Sequence, residues 1–195
     1  TIPGPDGLPV QCVGEWAHHE KHTYLSRYIY ATRETRRRYL VTGDHGPAGG
    51  AGFVDLFAGP GKVRIRDSGV IHDGSPLIAV AHREAPFTKI VVCDLDPENA
   101  EALRSRTQAE SARVDVVQCD SNAQATDIVE RLPPLGLNLA LIDPFKLDPL
   151  RFSTIEQLAK CQRMDLIVNF PTQDATRNIT RLLEKNNDVL AQALG

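Results

Sequence analysis

Phe53-Val54-Asp55-Leu56-Phe57-Ala58-Gly59-Pro60-Gly61 carries an apolar strand straight into an acidic, glycine-rich turn. The nearly continuous run of Phe53, Val54, Leu56 and Phe57 is what a strand buried on both faces of a parallel sheet requires. Asp55 interrupts it. A carboxylate at that depth is costly unless solvated or hydrogen-bonded, which predicts a position bordering the Gly59-Pro60-Gly61 turn rather than the deep core. The two glycines let backbone pass close to a ligand, and Pro60 stiffens the bend between them. A dinucleotide fingerprint would carry a third glycine three residues on; Arg64 stands there and weakens a nicotinamide-binding reading.

Downstream, apolar runs alternate with helical patterns. Strands are predicted at Lys89 to Cys93, Val114 to Gln118, Leu137 to Ile142 and Asp165 to Phe170. Each ends in polar residues: Asp94, Asp120-Ser121, Asp143-Pro144-Phe145 and Asn169. Five strands alternating with helices predict a doubly wound, mostly parallel α/β sheet of order 3-2-1-4-5, whose ligands sit outside the carboxyl edge. Asp96 before Pro97 is the expected N-cap of the following helix, which leaves Asp94 free to accept hydrogen bonds from ribose hydroxyls. Asp94 lies 33 residues beyond Gly61, and 20 once the 13-residue insertion of residues 62–74 is set aside. That interval suits a nucleotide-binding crossover. Asp120 either contacts an adenine amino group or favours a helix N-terminus. Ser121 with Gln124, and Ser153 with Glu156, have capping-box spacing.

Upstream, residues 1–15 open with three prolines and two glycines before residue 11 and predict an irregular arm. Residues 16–40 predict one helix, with Leu25, Tyr28, Ile29 and Thr32 forming an apolar stripe. Its basic end, Arg33, Arg36, Arg37 and Arg38, is either a solvated face complementing the helix dipole or a phosphate-binding patch. Thr42 to Gly52 reads as a glycine-rich linker. In the insertion, Lys62, Arg64 and Arg66 alternate with Val63 and Ile65, so an extended chain puts three cations on one side. They either hold an anionic substrate or protect a sheet edge with charge. Ser75 and Pro76 predict an N-cap and first turn for a helix running to about Glu84.

Composition bounds the function classes. A net charge of -3 excludes a basic field over the whole protein, so nucleic-acid contact would need a local patch. Cys12, Cys93, Cys119 and Cys161 are scattered without a Cys-x-x-Cys pair, which argues against a zinc ribbon and for reduced thiols in a cytoplasmic protein. His18 and His22 could share a helix face, but no third ligand accompanies them, and no metal is expected. Neither a signal peptide nor an apolar span of membrane length is read, and no membrane partner is expected.

Asp55-Leu56-Phe57-Ala58-Gly59-Pro60-Gly61, Gly74-Ser75-Pro76-Leu77, Asp94 and Asp143-Pro144-Phe145 together resemble a class I, Rossmann-like S-adenosylmethionine methyltransferase. More narrowly the set is similar to the three-Cys-motif partner protein family. There, too, an insertion separates the glycine turn from a Gly-Ser-Pro-Leu helix start, and a Trp-x-Lys-type helix precedes the sheet. The resemblance spans Trp16 to about Phe170. It implies a single methyltransferase domain over 1–195; a class I sheet normally continues into an antiparallel hairpin after the fifth strand, so either the chain is a C-terminally incomplete fragment or its sheet edge is completed elsewhere.

It further implies that Asp55, Phe57, Gly59, Pro60 and Gly61 border the methionine part of S-adenosylmethionine. Asp94 would hold the ribose, and Asp120 with Ser121 would meet the adenine. Asp143-Pro144-Phe145 is similar to the Asp-Pro-Pro-aromatic motif of amino methyltransferases, with one proline missing. Those three residues are the catalytic candidates. Lys62, Arg64, Arg66 and Asn169 are the substrate-binding candidates, with a nucleic acid as the expected acceptor. The alternative is a degenerate, non-catalytic fold that binds a protein partner or a nucleic acid.

Overall fold

The computed structural model describes residues 1–41, 49–184 and 187–195. Residues 42–48 of the glycine-rich linker lie outside them. The centre is a five-stranded parallel sheet of β3 (Ala51–Asp55), β6 (Lys89–Asp94), β7 (Val114–Gln118), β8 (Leu137–Ile142) and β9 (Met164–Val168), in the order β7-β6-β3-β8-β9. This is the 3-2-1-4-5 order that the alternating pattern predicts. Among the described residues no helix is long and apolar enough to cross a membrane.

Side-chain alternation splits the core in two. Phe53, Ile90, Val92, Leu139 and Leu141 point to one face and pack on Leu25 and Ile29 of α1 (Thr23–Ala31), Ala79 of α3 (Ser75–Ala81) and Leu103 of α4 (Pro97–Thr107). Val54, Val91, Cys93, Ala140 and Ile142 point to the other. They meet Ile128 of α5 (Ala125–Glu130), Leu158 of α6 (Phe152–Ala159) and residues of the short C-terminal helices, Thr172–Arg177, Ile179–Leu182 and Val189–Leu194. The central strand β3 is buried at all five positions, Asp55 included, so the carboxylate expected to avoid the deep core lies inside it.

A second sheet departs from the sequence reading. The expected irregular arm contains β1 (Ile2–Pro3) and β2 (Pro9–Val13), and the insertion is a hairpin of β4 (Lys62–Ile65) and β5 (Ile71–Asp73). Together they form a four-stranded sheet ordered β1-β2-β4-β5. Alternation drives it: Val13, Ala17, Val63 and Ile65 bury one another in a small satellite core, so each strand supplies the apolar face that the other lacks.

The helix expected over 16–40 is broken into three parts. It opens with a π-helical stretch, Ala17–His22, continues as α1, and restarts as α2 (Arg33–Leu40). Thr32 marks the second break, its hydroxyl donating back to the carbonyls of Tyr28 and Ile29, a competing local bond that interrupts helices. The caps also differ. Gly74, not Ser75, is the N-cap of α3, and the helix ends at Ala81. Neither predicted capping box forms, whereas Asp96 caps α4 as expected, accepting from Glu98 N at 2.9 Å.

Candidate functional site

The polar strand ends gather at the carboxyl edge of the large sheet. Beyond β3 the chain stays in the ladder for a few residues more, with Leu56 N donating to Leu141 O and Ala58 N to Cys93 O, before Gly59 and Gly61 turn it away. Both glycines take left-handed backbone, φ +59° and +86°, which side-chain-bearing residues rarely adopt. Neighbouring side chains also approach both closely and would have to shift for a Cβ. A Cβ on Gly61 would meet Leu103 Cδ2 at 2.8 Å, and one on Gly59 would meet Gln11 Oε1 at 2.7 Å.

Asp94 ends β6, the strand adjacent to β3. Its Oδ2 accepts Gly59 N–H at 2.7 Å, and its Oδ1 accepts from Asp96 N and Asn99 Nδ2. Three donors leave lone-pair capacity on a carboxylate that has about four acceptor sites. One strand farther out, Asp120 Oδ1 accepts from Asn122 N, forming a turn. Ser121 turns inward: its buried hydroxyl donates to Leu56 O at 2.6 Å and braces the approach to the glycine turn.

Asp55 is fully buried. Burial pushes its carboxyl up to about 7, reinforced by the nearby Asp143 charge and opposed by Ser75, the Phe57 amide and Lys21. Oδ1 accepts from Phe57 N, while Oδ2 has no partner of hydrogen-bond geometry; the Ser75 hydroxyl lies near without meeting it in that geometry. An orphaned acceptor at this depth calls for a cationic or hydrogen-bonding group.

The catalytic candidates lie one strand over, beyond β8. Asp143 sits between two side chains: Lys21 Nζ is 2.5 Å from Oδ2, and Asn169 Nδ2 donates to Oδ1 at 2.8 Å. Its side chain is 9% exposed, so this is a nearly buried ion pair with a second hydrogen-bond partner. Pro144 is buried, and Phe145 turns its ring outward, 68% exposed. Asn169 thus joins the candidates through Asp143. Lys21 was missed from sequence because residues 16–40 read as one regular helix, in which its position carries no distinguishing signal. The π-helical stretch that aims it at Asp143 has no periodic signature, and such irregular turns often mark functional sites.

Two cavities flank that stretch and share His22 and Arg27. One, about 300 Å³, is lined by His18, His72, Ser26 and Asp73 among others. His18 and His72 stack there, ring centres 3.6 Å apart. Burial, with the neighbouring Lys21 charge, lowers the His22 pKa to about 4 and keeps the imidazole neutral. The other, about 570 Å³, lies between the helices and the ends of β8 and β9, bordered by Trp16, Lys21, Tyr24, Leu141, Ile167 and Asn169. Gly59, Asp94 and Asp120 line neither. The glycine turn itself is covered by the N-terminal sheet, with Arg106 donating to both Pro9 O and Pro60 O.

The basic candidates divide. Val63 and Ile65 point inward, leaving Lys62 half-buried and Arg64 and Arg66 exposed, and these three make no ion pair among the described residues. Arg36, in contrast, is a core residue, 2% exposed. It donates to Ala85 O and Thr32 Oγ1 and stacks on Phe87. Arg33 and Arg37 pair with Glu34, and Arg33 also with Glu84. These contacts neutralise most of the expected phosphate-binding patch. Among the described residues no group of three or more His, Cys, Asp and Glu side chains is arranged to hold a metal ion.

No protein-family model matches the chain, and no curated protein is significantly similar to it. Solved structures similar to it include HI0767 from Haemophilus influenzae, with 17% identity, a TM-score of 0.37, and coverage of 70% of this chain and 69% of that one. A methyltransferase from Geobacter sulfurreducens shows 17% identity and a TM-score of 0.41 over 87% of this chain and 80% of its own. Monomeric WbdD shows 12% identity and a TM-score of 0.44; this chain spans 85% of itself but only 37% of that protein. Likeness at this level leaves the chemistry to be argued from the chain's own residues.

Proposed function

We propose that the chain is a methyltransferase using S-adenosylmethionine. The observation that carries this reading is the Asp94–Gly59 contact, which brings a carboxylate and a glycine turn together at adjacent strand tips on the carboxyl edge, the edge where nucleosides bind in doubly wound sheets. Phe57, Gly59, Pro60 and Gly61 would admit the methionine part, Asp94 would take ribose hydroxyls on its remaining lone pairs, and Asp120 would meet the adenine. Ser121 contributes indirectly, through Leu56.

The orphaned Asp55 Oδ2 fits an ammonium group, whose positive charge would favour the ionised carboxylate. When bound, the donor supplies an electrophilic methyl on a sulfonium; the protein's task is alignment. Asp143, fixed by Lys21 and Asn169, offers a hydrogen-bond acceptor to the incoming nucleophile. Pro144 holds it in register with Phe145, whose exposed ring can stack on the acceptor. Lys62, Arg64 and Arg66 would meet an anionic acceptor such as a nucleic acid. Calorimetry with S-adenosylmethionine tests the assignment: binding is expected, weakened about tenfold or more by Asp94→Ala. A folded chain that binds no donor overturns it.

A second reading, a non-catalytic module for a protein or nucleic-acid partner, is favoured by one observation. Gly59, Pro60 and Gly61 are buried, with Gln11 against the turn. Donor binding without transfer to RNA, DNA or protein pools would support it.

A further inference from the structure

We propose that the 570 Å³ cavity between the N-terminal helices and the ends of β8 and β9 binds a planar heteroaromatic ring with a mixed donor–acceptor edge: a nucleobase, carried by a nucleotide. Its role as the methyl-acceptor pocket rests on the function proposed above; its ability to bind the ring does not.

The size and walls set the first constraint. The volume falls within the roughly 300–1,000 Å³ of small-molecule sites. Leu141 and Ile167 form an apolar wall from the sheet. Across from them, Trp16 and Tyr24 line the cavity while remaining 45% and 65% exposed, with Lys21 Nζ lying over the Trp16 ring, 5.3 Å from its centre. Exposed aromatics lining a cavity suit stacking against a flat ring.

The polar end sets the second. Asp143 fixes the orientation of the Asn169 amide by taking its NH2 group, which leaves the carbonyl oxygen as an acceptor with no protein hydrogen bond among the described residues. Lys21 gives one contact to the same carboxylate and retains further N–H donors. Both line the cavity, so one end offers a donor and an acceptor side by side. That pair matches a base edge, as asparagine does when it reads a nucleobase, and it is wasted on a hydrocarbon. Arg27 also lines the cavity and makes no ion pair among the described residues, which suits a phosphate attached to the base.

The chain has a single tryptophan, so Trp16 fluorescence reports occupancy of this cavity directly. The full chain is titrated with the monophosphates of cytidine, guanosine, adenosine and uridine, and separately with a mixed-sequence single-stranded oligonucleotide, each with and without saturating S-adenosylmethionine. Saturable quenching is expected with at least one base, weakened about tenfold by Tyr24→Ala and by Asn169→Ala. Tyr24 is exposed enough that its removal leaves folding intact, which far-UV circular dichroism verifies.

Quenching by monomers identifies free nucleotides as the source, and quenching by the oligonucleotide alone identifies a single strand; either supports the pocket. Quenching that persists in a chain binding no donor keeps the pocket and removes only its acceptor role. The proposal is overturned if no probe quenches at millimolar concentration, if Tyr24→Ala and Asn169→Ala leave quenching unchanged, or if S-adenosylmethionine competes for the same site.

Discussion

Arg106 on α4 and Asp6 near the N-terminus, one hundred residues apart, meet through two hydrogen bonds, Nε to Oδ2 at 3.0 Å and Nη2 to Oδ1 at 2.9 Å. The guanidinium is 5% exposed and also serves the carbonyls of Pro9 and Pro60, so one side chain ties the N-terminal sheet to the glycine turn. Its loss strands both carbonyls and the carboxylate. Arg106→Ala is therefore expected to cost about 3 kcal/mol, and Asp6→Ala, at a partly exposed partner, about 1 kcal/mol or less. Denaturant unfolding measures both. Amide exchange along β2 should accelerate in Arg106→Ala; unchanged protection at Val10 to Val13 would show that the clasp does not hold the arm.

Lys21, Asp143 and Asn169 should behave as one unit. Removing Lys21 leaves Asp143 nearly buried without its counter-charge, so Lys21→Met is expected to destabilise by about 3 kcal/mol, and Asn169→Ala by about 1 kcal/mol. Replacing Asp143 with Leu in the Lys21→Met background removes the stranded charge, so the double variant should be less destabilised than the two single losses sum to. Strict additivity would contradict the ion pair.

Arg36 separates a core role from a binding role. Burial lowers its pKa to about 10, and Nη2 has no partner, signs of a cation held in the interior. Arg36→Ala removes its stacking on Phe87 and its bonds to Ala85 and Thr32, and should cost about 3 kcal/mol, whereas Arg37→Ala and Arg38→Ala should stay within about 0.5 kcal/mol. Salt-sensitive RNA binding lost in Arg37→Ala and Arg38→Ala at unchanged stability would restore the phosphate-patch reading.

The sheet was legible because its signal is local. Each buried strand is a short apolar run, and Val114 to Gln118 and Leu137 to Ile142 match their strands residue for residue. The Asp94–Gly59 neighbourhood follows from strand order plus spacing. What escaped depends on partners distant in sequence. Pro9 to Val13 carries too many turn-forming neighbours to read as a strand until Val63 and Ile65 supply its apolar face. Arg36 belongs to a run of arginines that looks solvated, and only the fold puts Phe87 beneath it. Lys21 escaped for a third reason, since a π-helical stretch shifts side chains off the faces that a 3.6-residue period assigns.

Asp55 and His22 carry opposite pH linkages over nearly the same window. The Asp55 carboxyl is raised to about 7 in the folded chain, so its contribution is full below about 4, the unfolded value, and is lost as pH rises through 7. The His22 imidazole is lowered to about 4, so its contribution is full above about 6.5 and is lost as pH falls through 4. A tenfold difference in proton affinity between folded and unfolded chain corresponds to about 1.4 kcal/mol, which makes each effect on the order of a few kcal/mol, and in the wild type they offset. Substituting either one should expose the other. Asp55→Asn is expected to gain stability as pH rises from 4 to 6.5, and His22→Gln to lose it from 4 to 7, as followed by urea unfolding at half-unit steps. Two variants with parallel pH profiles would mean that at least one of these groups titrates in the folded chain as it does in water, and the buried, unpartnered environment of Asp55 would be the first assignment to abandon.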